Sequence, residues 1–524
     1  MSADLQEQLT RGFEKALGSQ SPAVATYVAE GRGALPGAAR LLAWDANSIH
    51  GFVFDTANAT AIRGASEVLR KLDEDLVGGE PLGLDAAQIL FAGGGSGLAV
   101  VSEAQARKAT ARLHELFAER TLVGTCCAAT VELGSGDAPF NELYDAWQNE
   151  LARERVHSGS DAEPASSFFA LRCEVCGRRA ATKAEARKSG LRPECAVCQF
   201  MIELGKKSRY DSEEVTDFEA IADEERGGFL AVVYLDGNGI GRRISELPSP
   251  LAYATFSGAM KRLLRGAFEN LAAEYGLVEE GGKDGSRRRG HSYQLPICGG
   301  DDLVAILPGN VAVPFTRDLL RHIEQKADQD PELQHSSFRK LEKTGAGAGV
   351  AIGKKGFPIR HLITEAEELR ETAKKRCYRD AGVRSALDFA EVTDGSPRGD
   401  SGKARWRGGM FSSGRPYSLP ELDDFSARFN AVRRASIGRS QLYAFQRYAG
   451  AGLAQLRNHA LYQMARSHDW RDLIGKLAGD PDAVRDKERA MRHVVPEYGG
   501  RRIFDVADMI ELFDHWREPE EAAA

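Results

Sequence analysis

The sequence has no run of about 20 apolar residues, and its first residues lack the positive charge and the apolar core of a signal peptide. We therefore expect a soluble, cytoplasmic protein with no membrane partner. An excess of basic residues is also missing. The net charge of -7 over 524 residues argues against a protein coated with nucleic acid, so any contact with RNA must be local. Cysteine is scarce, and four of the eight cysteines follow a metal-type pattern, which fits a reducing compartment better than a disulfide framework.

The most informative stretch of the chain is typical of a strand, a tight turn and a second strand. Apolar residues lead into and out of a turn made of Gly299, Gly300, Asp301 and Asp302. The glycines give the backbone freedom and let a bulky anion approach closely. Two carboxylates held this close to each other favour a divalent cation between them. A solvated surface turn is the alternative, because Gly and Asp are the commonest turn residues.

A second stretch, a continuous apolar run, ends abruptly at Asp236. A strand buried on both faces belongs in the middle of a sheet, so its last residue emerges at the edge of that sheet. If this strand lies beside the hairpin, Asp236 joins Asp301 and Asp302 in a cluster that suits Mg²⁺ and displacement at phosphorus. A dinucleotide-binding loop at Gly237 is the alternative, but its glycine spacing is wrong and no acidic strand end follows.

This order of elements, a strand ending in Asp, a long helical excursion and a GGDD hairpin, resembles the palm domains of diguanylate cyclases and of the large subunit of type III CRISPR effector complexes. GGDD followed by Leu, the later glycine-rich stretch at 346–353 and the helix carrying Lys374 are more similar to the CRISPR subunit. The resemblance covers most of the chain in the family's order, although the family's nuclease domain is missing here. It implies synthesis of cyclic oligoadenylates from ATP with Mg²⁺ or Mn²⁺.

The resemblance also implies roles for individual residues. Three carboxylates would be both catalytic residues and metal ligands: Asp236, Asp301 and Asp302. Six further residues would contact the nucleotide: Gly237, Gly299, Gly300, Lys374, Arg63 and Ser66. Two of these have simpler explanations, because lysines are favoured at the end of a helix predicted over 364–375, and an arginine at a helix start is usually solvated. The family commonly has a second aspartate where this chain has Asn238, but by analogy the first aspartate, Asp236, is the ligand that matters most, so we expect activity to survive.

The first part of the chain repeats the pattern of the later half. A strand ends at Asp45, a helix is predicted from Arg63 to Leu76, and a glycine turn at 93–96 separates two apolar runs. The metal carboxylates are absent from this turn, so we expect a non-catalytic copy, which matches the family's first palm. Its backbone N–H groups could cradle a nucleotide phosphate. A purely structural copy is the alternative.

Four cysteines between the two copies have the spacing C-x2-C-x18-C-x2-C. Two C-x2-C pairs place four thiolates on one metal, which is typical of a closed, structural Zn²⁺ site. These ligands are Cys173, Cys176, Cys195 and Cys198. Four free thiols are the alternative. The polar stretch 152–167 before them is typical of a linker, and the family also carries a zinc module between its palms.

Together these patterns and the family resemblance predict an α+β protein with two ferredoxin-like palm domains, a small zinc module between them and a C-terminal helical bundle. The expected boundaries are 1–150, 165–215, 225–395 and 415–524. The expected function is a nucleotidyl transferase that makes cyclic oligoadenylates in antiviral defence, with a cyclic dinucleotide synthase and an inactive scaffold subunit as alternatives. The expected partners are ATP, guide or target RNA and other effector subunits, with basic segments at 287–289 and 405–407 as candidate RNA contacts.

Overall fold

The computed structural model describes most of the chain up to residue 471 and a few positions near its end. The described residues are 3–31, 39–133, 140–158, 169–187, 190–211, 218–222, 227–279, 290–334, 344–392, 415–434, 440–441, 444, 447–448, 453–471, 512 and 515–519. Both basic segments expected to contact RNA, 287–289 and 405–407, lie outside this part of the chain. Among the described helices, none combines the length and the apolar character needed to cross a membrane.

A four-stranded antiparallel sheet in the order β2-β3-β1-β4 forms the centre of the first palm. Its elements are α1 (Ala3–Leu17), α2 (Ser21–Glu30), β1 (Ala39–Ala46), α3 (Ile49–Val53), α4 (Ala59–Val77), β2 (Ile89–Gly93), β3 (Ser96–Ser102), α5 (Glu103–Thr121), β4 (Cys126–Glu132) and α6 (Phe140–Ser158). Helix α4 begins where Asn58 accepts a hydrogen bond from the Ala61 amide. Helix α5 begins at a capping box between Ser102 and Gln105.

A small module follows the first palm and packs on helix α4. It contains β5 (Lys183–Arg187), β6 (Gly190–Glu194), α7 (Ala196–Asp211) and the short α8 (Phe218–Ile221). Helices α4 and α7 cross at Gly64 and Gly205. A Cβ on Gly64 would lie 1.8 Å from the Met201 carbonyl oxygen, and one on Gly205 would lie 1.9 Å from that of Thr60. The crossing therefore has no room for a side chain on either glycine.

The second palm has a larger sheet in the order β10-β11-β7-β12-β13-β14. Its elements before the C-terminal region are β7 (Phe229–Gly237), α9 (Ile240–Ser245), α10 (Pro250–Glu274), β8 (Val278–Glu279), β9 (Gly290–His291), β10 (Gln294–Gly299), β11 (Asp302–Pro308), α11 (Ala312–Gln329), β12 (Ala346–Lys354), α12 (Ile359–Arg379) and β13 (Ala386–Glu391). Alternate residues of β7 enter two apolar clusters: Ala231, Val233 and Leu235 pack with α10 and α11, and Leu230, Val232 and Tyr234 pack with α12. This two-sided burial explains the continuous apolar run in the sequence.

The described part of the C-terminal region packs against the second palm. It contains β14 (Tyr417–Ser418), α13 (Leu419–Arg434) and α14 (Leu453–Arg466). Phe425, Phe429 and Trp516 join the apolar cluster of the second palm. Glu518 accepts hydrogen bonds from both terminal nitrogens of the buried Arg317, at 3.1 and 2.8 Å, which ties the end of the chain to α11.

The structure confirms the predicted fold class, while three predicted elements have different limits. Helix α4 begins at Ala59 rather than at Arg63, because Asn58 provides the cap. Helix α12 is longer than predicted in both directions. Helix α6 continues to Ser158, so the first half of the predicted linker is helical. The domain boundaries themselves stay predictions.

Candidate functional site

The ends of two neighbouring strands bring the three predicted carboxylates together. Strands β7 and β11 pair in antiparallel register with Asp302 directly opposite Asp236. Side chains directly opposite each other in such a pair lie on the same face of the sheet. Asp301 occupies the adjoining turn, and its carbonyl oxygen accepts a hydrogen bond of 3.1 Å from the Gly237 amide. The three residues therefore lie next to one another at one end of the second sheet, and their role as metal ligands stays a prediction.

Burial and neighbouring negative charges disfavour the charged forms of Asp301 and Asp236. Burial raises the pKa of Asp301 to about 7, and the negative charges of Asp302 and Asp236 act in the same direction. Burial and the charge of Asp302 also raise the pKa of Asp236, whereas Lys374 and Arg370 act in the opposite direction. Carboxylates under such repulsion are suited to bind divalent cations, and their hard oxygen donors fit Mg²⁺ or Mn²⁺.

Two cations from helix α12 neutralise Asp236. The Lys374 ammonium nitrogen lies 2.7 Å from Asp236 Oδ2, and the Arg370 guanidinium contacts the same oxygen. The helix continues to Arg379, more than a turn beyond Lys374. The favourable effect of a helix end on a lysine therefore does not explain the position of Lys374.

Glycines on strand β12 let helix α12 lie directly on the sheet. Gly347 pairs with Asp236 in the register of β7 and β12, and Gly349 pairs with Tyr234. A Cβ on Gly347 would lie 2.5 Å from Lys374 Cγ, and one on Gly349 would lie 2.1 Å from the Ala366 carbonyl oxygen. The alternating glycines of this stretch therefore set the distance between the helix and the acidic strand end.

Asn238, at the position where the family commonly has its second aspartate, has a structural role here. Its side-chain nitrogen donates to the Arg384 carbonyl at 2.9 Å, and its backbone amide donates to the Gly345 carbonyl at 2.9 Å. These bonds tie the end of β7 to the segments before β12 and β13. Both nitrogens of Asn238 therefore donate to backbone carbonyls rather than to the carboxylates of the site.

A cavity of about 760 Å³ lies between the two palms. Its volume is within the range of small-molecule sites. Of the predicted site residues, four contribute to its wall: Arg63, Ser66, Gly299 and Asp302. Asp236, Asp301 and Lys374 are not among its lining residues. The cavity therefore meets the carboxylate cluster at Asp302.

The glycine turns of the two palms touch each other beside this cavity. A Cβ on Gly299 would lie only 2.6 Å from Gly94 Cα. The registers of the two copies also correspond, because Asp45 pairs with Ser96 in the first palm as Asp236 pairs with Asp302 in the second. The duplication inferred from the sequence is thus visible residue by residue in the strand pairing.

An acidic side chain already occupies the amides of the first palm's turn. The Asp73 carboxylate accepts hydrogen bonds from the amides of Gly94 at 2.7 Å and Gly95 at 3.1 Å. Burial raises the pKa of Asp73 to about 6, against the lowering effects of Lys261 and these two amides. Because the amides have a partner within the chain, this turn fits the structural alternative better than a phosphate cradle.

Arg63 is buried and joins α4 to the small module. Its Nε donates to Ser208 Oγ at 2.9 Å, and its Nη2 donates to the Ser208 carbonyl at 3.2 Å. This contact differs from the solvated arginine expected at a helix start. Its predicted role toward a nucleotide stays a prediction, with the cavity wall as the observation that supports it.

His50 and Arg370 lie near the carboxylates and were missed by sequence reasoning. His50, on α3 of the first palm, lies with Nε2 at 4.0 Å from Asp302 Oδ2. A single histidine in this segment gives no pattern to interpret. Arg370 lies one turn before Lys374 on α12, and this i, i+4 spacing could have revealed that both face the same site.

The four predicted zinc ligands form a compact, buried cluster. The Sγ atoms of Cys173, Cys176, Cys195 and Cys198 all lie within 4.8 Å of one another. Within the described part of the chain, no other group of three or more potential metal-ligand side chains lies this close together. Four buried thiols at this spacing suit a tetrahedral Zn²⁺ centre.

The topology and the acidic hairpin first define the class: a protein with two palm domains of the nucleotidyl cyclase type, one of which carries GGDD. Residues 229–383 match the family model of the Cas10/Cmr2 second palm domain. No curated protein sequence matches the chain. These findings, with the solved structures described next, support a Cas10-like large subunit, in agreement with the resemblance seen in the sequence.

Solved structures of Csm1–Csm4 cassettes have a similar fold. The apo cassette has 14% sequence identity and a TM-score of 0.51, with 94% of this chain and 73% of that chain covered. The cassette in complex with cA3 gives the same values. The cassette in complex with one ATP has 15% identity and a TM-score of 0.51, again with 94% and 73% covered. At identities this low, the likeness shows a shared fold alone.

Proposed function

We propose that the chain is a nucleotidyl transferase that joins ATP molecules into cyclic oligoadenylates for antiviral signalling. The observation that carries this proposal is the cross-strand pair of Asp236 and Asp302, with Asp301 in the adjoining turn, at the edge of a cavity large enough for nucleotides. A likeness in fold to two Csm1–Csm4 cassette structures, one in complex with cA3 and the other with one ATP, supports the choice of substrate.

In this proposal the three carboxylates hold two Mg²⁺ or Mn²⁺ ions. When bound, such ions lower the pKa of an attacking ribose hydroxyl and stabilise the departing pyrophosphate. The chain's own contribution is to bind and orient. Lys374, now on Asp236, would neutralise triphosphate charge as a point cation. Gly299 and Gly300 leave room for a phosphate to approach the turn.

The cavity supports a site shared by both palms. Its wall combines Ser66 and Arg63 from α4 with Gly299 and Asp302 from the second palm. An attacking nucleotide and a donor nucleotide must lie side by side for transfer, and a cavity between two copies offers such an arrangement. Gly237 adjoins Asp301, and a Cβ there would lie 2.9 Å from Asp301 Cβ, so glycine at this position leaves the carboxylate turn undisturbed.

We also propose that the chain works with other subunits and with guide or target RNA in the cytoplasm. The similar structures are assemblies of two proteins, Csm1 and Csm4. The buried cysteine cluster would hold a structural Zn²⁺ ion in such an assembly.

The proposal can be tested by incubating the purified protein with each nucleoside triphosphate and Mg²⁺ or Mn²⁺, with and without RNA, and separating the products by mass. Cyclic oligoadenylates from ATP are expected. Cyclic dinucleotides would indicate the alternative synthase. A complete lack of product with every nucleotide, with or without RNA, would favour a scaffold subunit.

A further inference from the structure

A stack of three side chains lies on the sheet face that carries the carboxylates. The rings of His50 and Tyr234 are nearly parallel, with centroids 4.9 Å apart and an interplanar angle of 21°. The Arg370 guanidinium carbon lies 4.7 Å from the centroid of the same tyrosine ring. His50 Nε2 and the Tyr234 hydroxyl are also 2.8 Å apart, a hydrogen-bond distance. Tyr234 is therefore contacted by both the histidine and the arginine.

This stack joins three elements from two domains. His50 lies on α3 of the first palm, Tyr234 on the central strand of the second palm and Arg370 on α12. Helix α3 packs on the second sheet, because Val53 and Phe54 share an apolar cluster with Tyr234. The backbone turns into this position at Ser48, which has a φ of 48° although it is not a glycine. Such a conformation in a cavity wall is typical of a functional constraint.

One end of the stack binds a proposed metal ligand, and the other end lies near a second one. Arg370 binds the carboxylate of Asp236, and His50 Nε2 lies 4.0 Å from Asp302 Oδ2. Tyr234 and Asp236 are two residues apart on β7, so their side chains share one face of the sheet. The tyrosine ring therefore lies beside the carboxylates of Asp236 and Asp302. Gly349, opposite Tyr234, removes the side chain that would separate the ring from α12.

We propose that His50, Tyr234 and Arg370 are positioning residues that fix the distance between Asp236 and Asp302, and that the first palm takes part in this through His50. The inference rests on the proposed function, since it concerns the same carboxylates. It means that the non-catalytic palm is a working part of the metal site. Removing residues that bind and orient metal ligands typically lowers metal affinity 10- to 100-fold.

The direct test removes the contact between the two domains while keeping the ring. Tyr234→Phe retains the stack and deletes the hydroxyl that faces His50, and His50→Gln deletes the imidazole. Mn²⁺ binding in the presence of a non-hydrolysable ATP analogue, followed by electron paramagnetic resonance of free Mn²⁺, should weaken about 10-fold in each variant. The double variant should be no weaker than either single one, because both changes break one link. Arg370→Lys should retain more affinity than Arg370→Gln.

Matched controls separate this role from general stability. Tyr275→Phe removes another buried hydroxyl of the second palm, bonded to Asp318 at 2.7 Å outside the cavity wall. His114→Gln changes a histidine of the first palm outside that wall. Both should leave Mn²⁺ affinity unchanged, even where thermal unfolding shifts.

The outcomes distinguish the two proposals. If Asp302→Asn abolishes Mn²⁺ binding while Tyr234→Phe and His50→Gln bind as the wild type does, the positioning role is wrong and the proposed function stands. If the wild type binds no Mn²⁺ with the nucleotide, the proposed function fails and the positioning role falls with it. Weaker binding in both variants with intact controls supports both.

Discussion

At the scale of single residues, the two palms differ most at their glycine turns. In the second palm, Asp301 and Asp302 stand at the turn itself and repel one another. In the first palm, Ser96 takes the place of Asp302, and the turn amides bind the carboxylate of Asp73 from a neighbouring helix. One turn gathers negative charge, as the proposed cation site requires, and the other has its donors occupied from within the chain.

The buried carboxyl of Asp73 gives the protein a testable dependence on pH. Burial raises its folded-state pKa from the ordinary 3.8 to about 6, so the folded protein holds this proton more tightly than the unfolded chain does. The stabilising contribution is therefore complete below about pH 4 and is lost as the pH rises to about 6. A shift of this size corresponds to about 3 kcal/mol.

In denaturant titrations at a series of pH values, the free energy of unfolding of the wild type minus that of Asp73→Asn should fall by up to about 3 kcal/mol between about pH 4 and 6. Well above pH 6, where Asp73 is ionised in both the folded and the unfolded protein, the difference should stay constant. Asp75→Asn, on the same helix, replaces a partly exposed carboxylate paired with Arg120 and serves as the control. If the difference in unfolding free energy between the wild type and Asp73→Asn does not vary with pH, Asp73 does not titrate in this way.

The residue scale is also where the sequence was least informative. Asp236, Asp301 and Asp302 were predicted because motif and strand position both point to them. His50 and Tyr234 were not, because their contact joins residues far apart in sequence and depends on how two domains pack. Asp73 lay in a predicted helix, where an acidic residue is ordinarily assigned to the solvent-facing side.

At the scale of elements, the close packing of α12 on β12 sets the positions of the Arg370 and Lys374 side chains. Gly349→Ala would place a methyl group 2.1 Å from a backbone oxygen of α12, which cannot move aside as a side chain would. We expect a loss of about 2 kcal/mol in the free energy of unfolding and weaker Mn²⁺ binding, because Arg370 and Lys374 would be displaced. Denaturant titration and Mn²⁺ titration would measure the two effects.

Gly266→Ala is the matched control for this change. Gly266 lies inside helix α10, and an added Cβ there would meet no atom within 4 Å apart from the backbone of its own helix and its chain neighbours. It should raise stability by about 0.5–1 kcal/mol and leave Mn²⁺ binding unchanged. Equal effects of the two substitutions would contradict the close-packing account of α12. The sequence predicted β12 and α12 as a strand and a helix. It did not reveal their direct contact, which depends on the register of β12 with β7.

The four-cysteine module is a second element with a measurable role. Its helix α7 crosses α4 at Gly64 and Gly205, and α4 carries Arg63 and Ser66 to the cavity. Metal analysis should find about one zinc per chain, and Cys198→Ser should lower both zinc content and unfolding temperature. Cys126→Ser, a change at another buried cysteine, should retain the metal. Full zinc content in Cys198→Ser would show that the cluster is not the zinc site.

At the scale of the whole molecule, one helix is shared by the two palms. Helix α10 contributes Phe256 and Met260 to the apolar cluster of the first palm, and Leu264 and Phe268 to that of the second. This shared core and the contact between the two glycine turns place the copies face to face around the cavity. The sequence predicted two copies from their repeated pattern, but a repeat alone does not determine which faces meet.

The central claim is that three carboxylates from separate parts of the second palm act together on ATP. The most direct measurement compares product formation from ATP with Mg²⁺ or Mn²⁺ by the wild type and by a variant carrying Asp301→Ala and Asp302→Ala, with circular dichroism to confirm that both are folded. The account predicts oligoadenylates from the wild type and none from the folded variant. Continued synthesis by the variant would contradict the assignment of the site.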